Sequence, residues 1–182
     1  MRSRNPRQAS GTLAPAIAGQ HVESRNMIMK TLASNIIHHP FFRSMSPEHL
    51  GLVSQRAEET TFKAGEVIFR EGEPANRFYL IEEGAVALET AGAHRGHVQI
   101  QTIGSGDVLG WSWLFPPFTW HFQARALQPT RAIALDGAPL LVLCNRDPHL
   151  GFELMKRVSQ VVIQRLQAAR RRQLEHSPAT TS

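Results

Sequence analysis

The sequence predicts a mainly β fold, a sandwich or small barrel, with helices before and after it. Three observations carry this. Between Thr60 and Leu135 apolar residues alternate with their neighbours in short, glycine-bounded runs, which is the period of half-buried strands. Upstream, apolar residues recur at helical spacing. Downstream, an Asp-Pro pair opens the longest helical stretch of the chain.

Taken in order, residues 1–24 combine Arg2, Arg4, Arg7, Pro6 and Pro15 with small residues and no period, a disordered composition. From Asn26 to His38, the spacing of Met27, Ile28, Leu32, Ile36 and Ile37 predicts an entry helix. Ser46 is an N-cap with Pro47 at the first helical position, opening a helix to about Glu58 with Leu50 and Val53 facing the body. The strand stretch follows, with Val67, Phe69, Phe78, Leu80, Val86, Leu88, Val98, Ile100, Phe122, Ala124, Ala132 and Ala134 as alternating positions. Ala91 to Gly96 reads as an exposed hairpin tip. Asp136 to Pro139 begins a short helix, and Asp147, as N-cap to Pro148, begins the long one, ending near Leu174. The resulting organisation is a tail over 1–24, helices over 25–58, a β body over 59–136, helices over 137–174 and a tail over 175–182.

With 182 residues the chain has room for one domain and its tails. No run approaches the roughly 18 apolar residues of a membrane span. The segment Gly11–Gly19 is too short for a signal-peptide core, so a cytoplasmic protein with no membrane partner is expected. Cys144, the single cysteine, lies in an apolar run and reads as a buried, inert thiol. The net charge of +5 is unevenly placed: five basic and one acidic side chains in residues 1–30, six and one in 156–182, nine and thirteen between. An acidic body with basic ends gives no nucleic-acid-binding surface across the fold.

Enzyme chemistry is not expected. His94 and His97, like His38 and His39, could suggest a cupin-like metal enzyme, but strand residues three apart point to opposite faces, and His121 alone does not complete a metal set. Glu66, Glu71 and Glu73 read as solvated corners, and no nucleophile with a neighbouring base stands out.

The most distinctive stretch is Thr102–Ala126. Gly104, Gly106 and Gly110 let the backbone bend and approach another group, and Trp111, Trp113, Phe115, Phe118, Trp120 and Phe122 follow around Pro116 and Pro117. A helical turn opening after Gly110 would aim free N–H groups at one point, an anion cradle. Equally, Gly110 could serve close packing and the aromatics could fill a core.

The ordered series Lys63-Ala64-Gly65-Glu66, Glu71-Gly72-Glu73, Phe78 through Glu83-Gly84-Ala85-Val86, and Gly106-Asp107-Val108-Leu109-Gly110 resembles the cyclic-nucleotide-binding domain of the catabolite-activator and fumarate-nitrate-regulator (Crp/Fnr) family over residues 38 to 174. The resemblance implies a jelly-roll-like β-roll and a regulatory or signalling role. It also places a phosphate-binding cassette at 104–125, with Gly106, Gly110, Trp111, Ser112, Trp120 and His121 as ligand-binding positions.

Two departures stand out. Trp111 occupies the place of the family's ribose-binding glutamate, and no arginine lies across Phe118 to Phe122, where the family pairs one with the cyclic phosphate. Arg125 falls in the next strand. Losing both contacts removes about 3–6 kcal/mol of ligand binding. The expectation is therefore a degenerate cassette, filled by its own aromatics, acting on an unidentified protein partner. A genuine cyclic AMP or cyclic GMP sensor with other contacts is the alternative, and a different small anionic or aromatic ligand also suits the aromatic lining.

By the same resemblance the long helix forms a homodimer, through Phe152, Met155, Val162 and Leu166. Occupancy of the cassette would shift that helix between two states. Arg170, Arg171 and Arg172 read as a solvated helix end. Family transcription factors continue with a winged helix-turn-helix, which Glu175 to Ser182 cannot supply, so sequence-specific DNA binding is not expected.

Overall fold

The computed structural model describes residues 27, 29–92 and 96–176. The expected tail 1–24, the centre of the hairpin tip with His94, and residues 177–182 lie outside them. The chain divides into Met1–Thr31 and Leu32–Ser182. In the first unit residues 27 and 29–31 are helical, and the Thr31 hydroxyl donates to the Met27 carbonyl at 3.0 Å. All that follows concerns the second unit.

Residues 32–38 are helical (α1) and lead into a 3-10 turn, Pro40–Phe42. The next helix, α2 (Pro47–Ser54), starts as expected: the Ser46 hydroxyl accepts from the His49 N–H at 3.2 Å, with Pro47 at the first position. It stops at Ser54, short of the expected Glu58. Residues Ala57–Phe62 instead form β1, paired antiparallel to β8 (Thr130–Asp136) with Glu58 opposite Ala134. Here β-branched Thr60 and Thr61 and the waiting edge of β8 outweigh the helix-compatible Glu58 and Glu59.

Six further strands complete the body: β2 (Val67–Phe69), β3 (Arg77–Glu83), β4 (Ala85–Ala91), β5 (His97–Gly104), β6 (Val108–Leu109) and β7 (Gln123–Ala126). They form two antiparallel four-stranded sheets, β1-β8-β3-β6 and β2-β7-β4-β5, a jelly-roll-like β-roll. The first sheet is covered on both faces. Tyr79, Ile81, Leu109, Ala132 and Ala134 meet Val86, Leu88, Ile103 and Ala124 of the second sheet. On its outer face Phe78, Leu80, Ile133 and Leu135 pack with the helices.

This double covering is why β3 and β8 do not alternate: Phe78 to Ile81 and Ala132 to Leu135 are buried without interruption. Val98, an expected alternating position, is 55% exposed. The β4–β5 pairing shifts register between Leu88 and Glu89, and such a bulge resets which side chains point inward.

Two helices close the chain, α3 (Gly137–Arg146) and α4 (Pro148–His176). Asp147 joins them: its Oδ1 accepts from the N–H groups of His149 at 3.0 Å and Leu150 at 3.2 Å, capping α4. Its Oδ2 lies 3.1 Å from Nε2 of His49, fastening α2 to the start of α4. The Leu150 hydrogen bond, with help from His49, holds the Asp147 carboxyl below the ordinary carboxylate range. The 29 residues of α4 span about 43 Å. Leu150, Leu154 and Val158 are buried against the body, whereas Phe152 and Leu166 of the expected dimer stripe are exposed, and Met155 and Val162 partly so. Cys144 is buried, and burial pushes its thiol up to about 11. No helix among the described residues is long and apolar enough to cross a membrane.

His39 gives the body a pH dependence. It is buried, its Nδ1 accepts from the Phe41 N–H at 3.3 Å, and burial lowers its pKa below 6.5, with the backbone of Ile81 and the charge of Asp107 acting weakly in the other direction. The unfolded chain therefore takes up this proton more readily than the folded one. Stability is fully present above pH 6.5 and declines as pH falls from there through the lowered folded value, by at most about 1.4 kcal/mol per pH unit. Urea unfolding midpoints measured from about pH 7.5 to pH 5.5 should show this slope. In His39→Asn the slope should be reduced.

Candidate functional site

The short strand β6 pairs with β3 and delivers the chain to Gly110. Gly110 is left-handed at φ 85°, and a Cβ there would lie 3.0 Å from the Arg77 carbonyl oxygen and 2.9 Å from the Trp120 ring. Conformation and crowding both demand glycine. A 3-10 turn, Trp111–Leu114, follows and buries Trp113 and Leu114. The Ser112 hydroxyl lies 3.0 Å from Nδ1 of His121, tying this turn to the entry of β7.

That hydroxyl–imidazole contact brings together a pair nine residues apart in the chain, which the sequence did not single out. Ser112 is buried and no carboxylate contact orients His121 among the described residues, so the pair lacks the third member that activates a nucleophile.

Trp120 is the centre of the site. Its backbone is pinned on both sides, donating to the Glu73 carbonyl at 2.9 Å and accepting from the Gly72 N–H at 2.8 Å. Its side chain, only 4% exposed, stacks on Phe69 with ring centroids 3.9 Å apart and planes 14° apart. The pocket it lines with Leu88, Leu109, Gly110, Trp111, Ser112, His121 and Phe122 offers about 60 Å³. Small-molecule sites ordinarily offer about 300–1,000 Å³.

Over this site lies Arg165 of α4. Its guanidinium sits 4.4 Å from the Trp111 ring centroid, in cation–π geometry, and donates to the Val108 carbonyl. Burial pulls its pKa down to about 10, with the Asp107 carboxylate opposing, so it stays charged near neutrality. Trp111 thus serves as a platform for a cation from the long helix. Arg125 turns away, with Nε 3.3 Å from a Glu89 oxygen and a terminal nitrogen donating to the Gly65 carbonyl at 3.1 Å.

Of the expected positions, Gly110, Trp111, Ser112, Trp120 and His121 line one pocket; Gly106 lies outside it, in an adjoining cleft. Phe69, Leu88, Leu109, Phe122 and Arg165 complete the lining; Phe122 belongs to the aromatic run marked in the sequence, and the other four were not singled out as site residues. A signal for Arg165 existed. Leu154, Val158, Val161 and Arg165 follow the inward helical spacing, so a cation falls where an apolar residue would continue the stripe.

The cyclic nucleotide-binding domain model matches residues 59–147. A solved protein of Geobacter metallireducens GS-15, named for cyclic nucleotide binding, is 30% identical and superposes with a TM-score of 0.67 over 74% of this chain and 97% of that one. A Rhodopseudomonas palustris protein named as a potassium channel is 29% identical over 68% of this chain and 28% of its own. The CRP-like cAMP-activated global transcriptional regulator of Mycobacterium tuberculosis is 26% identical over 63% of this chain and 51% of its own. The chain thus spans about half or less of these curated relatives. Fold and sequence likeness agree, and the chain belongs to the cyclic nucleotide-binding domain family, with Crp-like regulators among its relatives.

Proposed function

We propose that this chain is a regulatory domain in which the nucleotide site is closed by the protein's own aromatic side chains and the output passes through α4 to a second copy and a protein partner. One observation carries the reading: Trp120, within residues 118–122 where the family's phosphate-binding arginine is expected, is stacked on Phe69 over Gly110 and leaves about 60 Å³. Trp111, at the glutamate's place, is occupied with Arg165. Neither indole offers an acceptor to a ribose hydroxyl or a cation to a phosphate.

Support for the output comes from the same arginine. Arg165 belongs to α4 and touches both the Val108 carbonyl and Trp111, so any rearrangement of the cassette alters a contact of the helix. The outer seam of α4, with Phe152, Met155, Val162 and Leu166 exposed to differing degrees, is apolar and spaced for a partner helix.

Isothermal titration with cyclic AMP and cyclic GMP tests the reading. The wild type should show no binding tighter than about millimolar, given the roughly 3–6 kcal/mol of missing contacts. A Trp111→Glu/Trp120→Arg variant should regain measurable affinity. Micromolar binding by the wild type would sink the closed-cassette reading.

A further inference from the structure

A cleft of about 380 Å³ lies between the inner flank of α4, the β5–β6 corner and the Pro40–Phe42 turn. It falls within the ordinary size of small-molecule sites and is far roomier than the cassette pocket. Arg157, Gln160, Gln164 and Arg165 line its helix side, and Gln101 and Asp107 lie among the residues opposite. At the start of α4 the inward face is apolar, through Leu150, Leu154 and Val158. One turn further it becomes cationic and amide-bearing around open space, which is not how a helix covers a core.

The hydrogen-bonding account of the two arginines is incomplete. Arg157 donates to the carbonyls of Phe41 at 2.7 Å and Arg43 at 2.9 Å and pairs with the Glu153 carboxylate at 3.5 Å, and Arg165 donates to the Val108 carbonyl. The Nε of Arg157 and one terminal nitrogen of Arg165 are nevertheless buried without a partner. Buried charged donors left unsatisfied are costly, and both side chains border the cleft. The cleft lining itself holds one acid, Asp107, whose Oδ2 accepts from the Gly104 N–H at 2.9 Å and whose charge acts on Arg165; Glu153, outside the lining, pairs with Arg157.

We propose that this cleft binds a small molecule through a phosphate group, held by Arg165 and Arg157, with Gln101, Gln160 and Gln164 bonding the remainder. Two separate guanidinium donors suit a group that presents three oxygens, and the volume leaves room beyond the phosphate. Bound there, it would tie α4 to the β5–β6 corner from the side of Arg165 away from Trp120, so the effector site and the closed cassette are different places joined by one side chain.

The test is an NMR titration of the full ¹⁵N-labelled chain with inorganic phosphate, AMP and ribose 5-phosphate at constant ionic strength. Expected are saturable shifts at the Gly106 and Val108 amides and the Gln160 and Gln164 side-chain amides, half-complete at about 1 mM or below for at least one probe. Arg165→Gln should weaken the response about tenfold or more. Because Arg165 also supports Trp111, a second variant, Gln160→Leu/Gln164→Leu, should weaken it while leaving the melting temperature near wild type. Tighter binding of AMP or ribose 5-phosphate than of inorganic phosphate identifies a phosphorylated metabolite; equal binding identifies free phosphate. Absence of saturable shifts at about 10 mM of every probe, or an unchanged response in both variants, overturns the proposal and leaves the closed cassette untouched. Shifts confined to Gly110, Ser112 and His121 overturn both.

Discussion

Trp120→Ala is expected to lower the melting temperature by roughly 6–20 °C, corresponding to about 3–5 kcal/mol for deleting a buried tryptophan from a domain of this size. The cost has a definite source. The indole is 4% exposed, stacked on Phe69 and seated over Gly110, so its removal opens an apolar cavity that pinned backbone on both flanks cannot close. Such cavities stay dry and accept small apolar guests. Indole added at millimolar level should therefore recover part of the lost melting temperature in Trp120→Ala and do nothing for the wild type. Differential scanning fluorimetry reads both. A variant as stable as the wild type would mean that Trp120 does not fill the site.

The second large effect concerns assembly. Leu166 is 69% exposed and Phe152 66%, both on the seam of α4 that faces away from the body. Each such side chain gains about 1.5–3 kcal/mol on burial, and a two-fold dimer counts it twice. Leu166→Glu should thus weaken a homodimer by about 3–6 kcal/mol, roughly a hundred- to ten-thousandfold in dissociation constant. By analytical ultracentrifugation the wild type should sediment as a dimer and Phe152→Glu/Leu166→Glu as a folded monomer. A monomeric wild type would remove the dimer from the account.

Local chemistry made much of the fold legible. Ser46-Pro47 and Asp147-Pro148 are helix starts that work through their own side-chain oxygens, and both helices begin there. The end of α2 was not legible, because residues 57–62 become a strand only when β8 offers its edge. Unbroken burial in β3 and β8 likewise depends on helices far along the chain. In the site, the glycine at 110 and the aromatic run were visible, and the family pattern marked 111 and the stretch 118–122 as departures. What a tryptophan does at such a place depends on its partners. Phe69 lies fifty-one residues before Trp120, and Arg165 fifty-four after Trp111, separations over which spacing carries no information.

In the closed-cassette reading, Trp120 itself occupies the nucleotide site. Its most direct test is ¹⁹F NMR of the chain labelled with 5-fluorotryptophan, the three signals assigned by Trp→Phe variants. Expected is a Trp120 signal with no solvent isotope shift, unmoved by cyclic AMP at about millimolar level. A Trp120 signal that cyclic AMP moves, at micromolar concentration, to a solvent-exposed position would contradict it: the indole would then be a displaceable lid over a working receptor.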